Sequence, residues 1–232
     1  MVERQVDWEI LLAAGIITVG IVAGIFFVGN QLSDYKIQSL RADIRKVELS
    51  QKSQNLGLQL VESVEGDRCR ALKQWTRTSL PELRQLRKEV AVYERTRKLK
   101  NEQYTVLKKR YINLVIENMV GIKRMQKACD LQVIDVLYLY GDSNCEKCDR
   151  QGDVTTYFRR KYPERLVVHP VDATLNMKTV NFLKRYYNVT EYPTLVIEGE
   201  TYSGFRSKSE MKDILEGYLK TANRTEAIDP GE

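Results

Sequence analysis

The 232-residue sequence predicts an α/β C-terminal domain, a mixed four-stranded sheet in the order βαβαββα, preceded by a transmembrane helix and an α-helical coiled-coil or hairpin region. Three observations carry this reading. An uncharged apolar run lies near the N-terminus, apolar residues then recur at spacings of three and four for about a hundred residues, and beyond Asp130 short β-branched runs alternate with helical segments. Composition bounds the rest. Apolar residues make up 43% of the chain, enough to build cores, and a mean hydropathy of -0.41 excludes a polytopic membrane protein. The net charge of +6 comes with 29% charged residues of both signs, close to ordinary globular usage, so the position of the excess matters more than its size.

The run from Ile10 to Val28 has no charge, and Thr18 is its only polar side chain. As a helix at ~1.5 Å per residue it would measure about 28 Å, near the hydrocarbon thickness of a bilayer. A cleaved signal peptide would want a basic leader and a small-x-small exit. Here Arg4 stands against Glu3, Asp7 and Glu9 in the short tail 1–9, so a retained anchor is the expectation. Gly20 and Gly24 form a GxxxG pair that suits a homodimer contact.

From residue 31 to about 130 the chain reads as a helical stalk and hairpin. Ile37, Leu40, Ile44, Val47, Gln51, Gln54, Leu58 and Val61 follow a 3,4 spacing, with two glutamines weakening the seam. Gly66-Asp67 reads as a turn with an N-cap. Ser79-Leu80-Pro81-Glu82 has the form of a capping box with proline in the first turn, which predicts a helix starting near Leu80. After Asn101 another helix carries Tyr104, Leu107, Tyr111 and Leu114 on one stripe and Ile112, Val115, Met119 and Ile122 on the next, so it should touch more than one partner. Between Arg68 and Lys127 there are 17 Lys or Arg against 5 Asp or Glu. That surface suits anionic lipid heads or, more simply, water; no helix-turn-helix or aromatic RNA-binding signature accompanies it, and nucleic acid is not expected as a partner. Cys69 and Cys129 sit near the two ends of this region. A folded-back hairpin would let them meet as a structural disulfide, which implies an oxidising compartment, whereas two unpaired buried thiols are the alternative.

Beyond Asp130 the elements come in order. Residues 133–140 are β-branched and aromatic, hence a buried strand; Cys145-Glu146-Lys147-Cys148 opens a helix that Pro163 stops; 166–172 is a strand, 175–187 a helix and 194–198 a strand. Gly199 turns the chain into a strand at 201–204, and Ser207 to Glu210 boxes a last helix to about Leu219, leaving 221–232 as a flexible tail.

Taken together, this element order, the CxxC at the start of the first helix and Tyr192-Pro193-Thr194 leading into the third strand resemble the thioredoxin fold over about residues 131–220. With the apolar run and helical middle added, the whole is similar to uncharacterised single-pass thioredoxin-like proteins of archaea. The resemblance implies a cis peptide before Pro193 facing the CxxC. It also implies that Tyr192, Pro193 and Thr194 bind an extended substrate strand. There are departures: Asn144 replaces the usual aromatic before the first cysteine, Glu146 and Lys147 replace Gly-Pro, and Leu139 stands where many relatives bury a carboxylate, with Asp142 as a stand-in.

The residues carry the chemistry as well. A sulfur at a helix N-terminus is favoured as the anion, so Cys145 is the expected attacking thiol; Cys148, one turn on, can resolve a mixed disulfide. Lys147 favours the thiolate, and Glu146 opposes it. The expected function is that of a membrane-anchored thiol-disulfide oxidoreductase acting on protein thiols and disulfides with a redox partner, needing no cofactor. Two rivals remain: a non-catalytic membrane scaffold whose basic helices dock a partner or lipid and whose thioredoxin-like head is a recognition module, and a zinc site at Cys145 and Cys148 completed from Cys69, Cys129 or His169, although no metal is expected. Asn188-Val189-Thr190 and Asn223-Arg224-Thr225 fit the glycosylation sequon. Sidedness is divided. Lys36, Arg41, Arg45 and Lys46 after the apolar run favour a cytoplasmic bulk, while cysteine usage and the resemblance favour an extracytoplasmic head at the cell membrane.

Overall fold

The computed structural model describes residues 66–96, 102–141 and 144–228, together with 18–19, 53, 56–57 and 59–64. Among the described residues no helix is long and apolar enough to cross a membrane. The expected fold class is corrected accordingly: the described residues form a mixed four-stranded sheet with helices and include no transmembrane helix. The two long helices ahead of the sheet are charged along their length; even the more apolar one carries Lys108, Lys109, Arg110, Lys123, Arg124 and Lys127. The run 10–28 lies outside the described residues except Thr18 and Val19, as do Gly20, Gly24 and the stalk seam from Ile37 to Leu58. The chain divides into two compact units, 1–56 and 57–232; the sheet, the two long helices and both cysteine pairs belong to the second.

Helix α1 (Arg68–Arg95) begins at Asp67, whose carboxylate accepts the Arg70 N–H at 2.9 Å and satisfies one of the orphan amides of the first turn. It passes straight through Pro81, so the helix start expected near Leu80 is wrong. The Ser79 hydroxyl does not cap; it donates back to the Thr76 carbonyl at 3.1 Å. Buried positions on both sides of the proline, Leu72 before it and Leu86 and Val90 after it, hold the helix to its neighbour, and that packing outweighs the lost backbone bond. The neighbour, α2 (Glu102–Cys129), runs back along α1, and a disulfide between Cys69 and Cys129, Cα atoms 4.9 Å apart, ties the first turn of one to the last turn of the other. Gly57 closes this end from outside: a Cβ there would fall 1.9 Å from the Trp75 ring.

After Asp130, in the left-handed conformation that commonly ends helices, the chain enters the sheet. Its strands are β1 (Ile134–Tyr140), β2 (Leu166–Asp172), β3 (Thr194–Ile197) and β4 (Glu200–Ser203), in the order β2-β1-β3-β4. The β1–β2 pair is parallel, joined by crossover helix α3 (Glu146–Lys161); β3 runs antiparallel to both β1 and β4. A two-residue turn, Glu198-Gly199, both at positive φ, makes the last hairpin. Glu198 tolerates that conformation with its carboxylate engaged, accepting the Asp135 N–H at 2.5 Å. Helix α4 (Lys178–Tyr186) precedes β3. Helix α5 (Lys208–Ile228) starts at the Ser207–Glu210 box and continues past Leu219, since 220–228 contain no proline or glycine.

Alternation along β1 sorts the core. Ile134, Val136 and Tyr138 face Val154 and Phe158 of α3 and Met211 and Leu215 of α5. Leu137 and Leu139 face Val180 and Leu183 of α4, together with Ile112, Val115 and Met119 of α2 and Leu86 and Val90 of α1. The helical hairpin and the sheet therefore share one core. This topology is compatible with a thioredoxin-like fold. Two buried charge groups brace β1. Near its start, Asp135 pairs with His169 at 2.7 Å and Lys123 at 3.1 Å; near its end, Lys108 of α2 reaches Asp172 of β2 at 2.7 Å. Burial alone would push the Lys108 ammonium down, but Tyr140, Asp172 and Tyr104 beside it hold it above its ordinary value. Burial likewise opposes ionisation of Asp135, yet His169 and Lys123 keep its carboxyl below the usual range.

Glu117 on α2 is the exception to this pairing. Burial, with Glu82 adding repulsion, pushes its carboxyl up to about 7. Because its folded value lies above its unfolded one, ionisation costs stability as pH rises from about 4.5 through 7. Glu117→Gln should therefore raise unfolding free energy by about 1–2 kcal/mol at pH 8, discounted for partial exposure, and the gain should vanish below pH ~4.5. Urea denaturation of both proteins across that range is the measurement; a gain independent of pH would contradict the assignment.

Candidate functional site: a dithiol at the start of α3

Strand β1 ends at Tyr140, and Gly141 turns the chain toward α3. Cys145 occupies the N-cap position of that helix and Cys148 its first turn; the two are joined as a disulfide with Cα atoms 5.1 Å apart. The N-cap role is physical. The Cys145 sulfur accepts the Cys148 N–H at 3.2 Å, and its carbonyl accepts the Cys148 and Asp149 amides at 2.9 and 3.2 Å. The free amides and dipole of a first turn favour negative charge on such a sulfur once the bond is reduced. Glu146 and Asp149 in the same turn work against that preference, but Glu146, Lys147 and Asp149 are all exposed, so water screens them. Asn144 is exposed in the turn just before, and Asp142 lies outside the described residues.

The two sulfurs differ in access. Cys148 is 4% exposed and its sulfur accepts the buried Gly141 N–H at 3.3 Å, while Cys145 is half-buried at the rim. An incoming sulfur meets Cys145 first. The carbonyl of Cys148 is held from below by the Tyr138 hydroxyl, which donates to it at 2.5 Å. Burial drives that phenol well above its ordinary value, with Asp149 adding to the effect, so it stays a donor at every working pH.

Tyr192-Pro193 is a cis peptide bond, and Thr194 follows it into β3, where it registers with Leu139. The Thr194 hydroxyl donates to the Glu191 carbonyl at 2.7 Å, which fixes the turn. Gly141 marks where this loop meets the dithiol: a Cβ placed there would lie 3.4 Å from Tyr192 Cδ2 and 3.5 Å from both Tyr192 Cβ and Cys145 Cβ. Tyr192 and Cys145 thus flank the same small residue. Cys69 and Cys129 form their own bond and contribute nothing to this group; Cys129 packs with Val61, Leu131 and Val133 near the start of β1. His169 is 2% exposed and engaged by Asp135.

Sequence reasoning did not pick out three contributors. Gly141, read only as loop, supplies both the amide for the Cys148 sulfur and the space for Tyr192. Tyr138 holds the Cys148 carbonyl, and its signal was present: a phenol inside a buried strand needs a partner. The Lys108–Asp172 pair bridges α2 to the end of β2, beside the point where β1 releases the loop, and a lysine among seventeen basic residues gave no sign of it.

No protein-family model and no curated protein matches the chain. Among solved structures it is similar to thioredoxin-2 of the malaria parasite, a component of that organism's protein secretion machinery, at 20% identity over 37% of this chain and 82% of that one, with a TM-score of 0.32. A second malarial protein matches at 21% identity over 38% and 98%, TM-score 0.32. The germline-specific thioredoxin Deadhead of Drosophila melanogaster matches at 20% over 43% and 92%, TM-score 0.33. Two of these three neighbours are thioredoxins by name; the strand order and the crossover helix of this chain are compatible with a thioredoxin-like fold.

Lys108→Met leaves Asp172 buried without its cation and should cost about 3–5 kcal/mol in chemical denaturation. Adding Asp172→Asn should recover a substantial part of that loss, because the stranded charge is gone; a double variant as unstable as the sum of the singles would show the pair to be uncoupled.

Proposed function

We propose that the chain is a thiol-disulfide oxidoreductase acting on protein thiols and disulfides. The observation that supports this most is the unequal pair itself: two cysteines joined across one helical turn, the first at the rim with an amide aimed at its sulfur, the second sealed beneath it.

In the reducing direction the Cys145 thiolate attacks one sulfur of a substrate disulfide. A Cys145–substrate bond forms and the substrate's other sulfur leaves as a thiolate. Cys148, deprotonated, then attacks Cys145; the mixed disulfide breaks, the second substrate sulfur leaves as a thiolate, and the Cys145–Cys148 bond seen here results. Two electrons pass from the dithiol to the substrate, and a redox partner bearing a dithiol restores the reduced pair. Run backwards, the same steps oxidise a substrate dithiol. Tyr192, Pro193 and Thr194 are proposed to line the strand that presents the substrate, with Gly141 leaving room between Tyr192 and Cys145. Asn144, Glu146 and Lys147, exposed around the rim, would adjust charge there.

Cys145→Ser in the full chain should reduce dithiothreitol-driven insulin disulfide reduction to the uncatalysed rate. Cys148→Ser, reduced beforehand, should instead accumulate a mixed disulfide with a disulfide-bearing substrate, visible on non-reducing gels and released by reductant. Undiminished turnover in Cys145→Ser would refute the proposal and favour a binding-only head.

A further inference from the structure

A second site lies away from the dithiol. Between the helical hairpin, α3 and the outer edge of β2 there is a cavity of about 300 Å³. Arg84 and Arg87 of α1 and Arg159 of α3 line it, with Tyr111 and Asn118 of α2 and Thr156 of α3 supplying further polar groups. Among the described residues no Asp or Glu contributes to the lining. The acid nearest along α1, Glu82, is held by Arg110, and Glu89 by Gln85. The half-buried Arg159 pays for this arrangement: burial, and then the Arg87 charge, both disfavour its guanidinium. The buried Tyr111 phenol lies within electrostatic reach of both arginines.

Three guanidiniums drawn from two elements, with no ion-pair partner among the described residues, form a positive field in a partly desolvated groove. Such a field is costly until an anion enters, and planar guanidinium forks match the oxygens of a phosphoryl group two at a time. The cavity exceeds a single water or chloride, and Tyr111 and Tyr138 are among its lining residues, beside room for the remainder of a ligand.

We propose that this groove binds a phosphate-bearing small molecule through Arg84, Arg87 and Arg159. The site is independent of the redox reading, since none of these residues belongs to the dithiol. It has a route to it nonetheless: Tyr138 lines the groove and its hydroxyl holds the Cys148 carbonyl.

The test is calorimetric titration of inorganic pyrophosphate into the full-length oxidised chain at fixed ionic strength. The expected result is one saturable site with Kd near or below about 1 mM. Arg87→Gln with Arg159→Gln should weaken it about tenfold or more, as loss of charge-assisted hydrogen bonds requires, while Arg150→Gln on α3, outside the groove, should leave it unchanged. If the double variant loses its helical circular dichroism, Arg84→Gln carries the comparison, with a smaller but measurable loss. Failure to saturate by about 10 mM, equal binding by the groove variants, or succinate binding as tightly as pyrophosphate would each overturn the assignment.

Discussion

A strand with both faces apolar must be covered twice, and β1 is that strand. Six of its seven residues are buried, with alternate side chains pointing to opposite layers. Helices α3 and α5 cover one side; α4 is only nine residues long and cannot cover the other side alone. The α1–α2 hairpin completes that layer with Ile112, Val115 and Met119, and both apolar stripes of α2 share a cluster with α1 and the sheet. The rest depends on this double coverage: it holds β1 through to Tyr140, beyond which Gly141 leads to the first turn of α3, with Cys145 half-buried and Cys148 buried.

Covering a strand from a strongly basic hairpin brings charge into the core, and the structure handles it by pairing. Lys123 and Lys108, on the same helix, each reach a carboxylate near one end of β1, Asp135 and Asp172. Desolvation of these groups is expensive, and single unpaired members would be more so. The groups left over are informative for the same reason. Among the described residues, Glu117, with its raised carboxyl, and the cluster around Arg159 are places where burial is not offset by an ion-pair partner.

Much of the C-terminal half was legible. Strand boundaries at 134–140 and 166–172 follow from β-branched and aromatic runs, and the turn at Gly199 from glycine's tolerance of positive φ. The hairpin misled at Pro81, because a capping-box pattern is local while the decision to continue was tertiary, made by Leu72 and Leu86 on the same face. The apolar run near the N-terminus invited a transmembrane helix on composition alone; no described helix has that character. At the site, cysteine spacing was readable because it is one helical turn. Gly141 and the arginine groove were not, and for Tyr138 only the need for a partner was, since each contact depends on which element lies across from it.

Burial bears on direction of attack more firmly than any charge near the dithiol. Glu146 and Lys147 are exposed and of opposite sign, so their net effect on a thiolate in water is small. Cys148, 4% exposed and backed by the Gly141 amide, cannot meet a folded partner without the helix opening. Whatever the potential of the pair, an external sulfur has one accessible target, Cys145, and the buried sulfur has one partner within reach. In the exchange we propose, the order of the two steps would thereby be set by packing around β1 and Gly141, with the charges on the rim left to adjust rate.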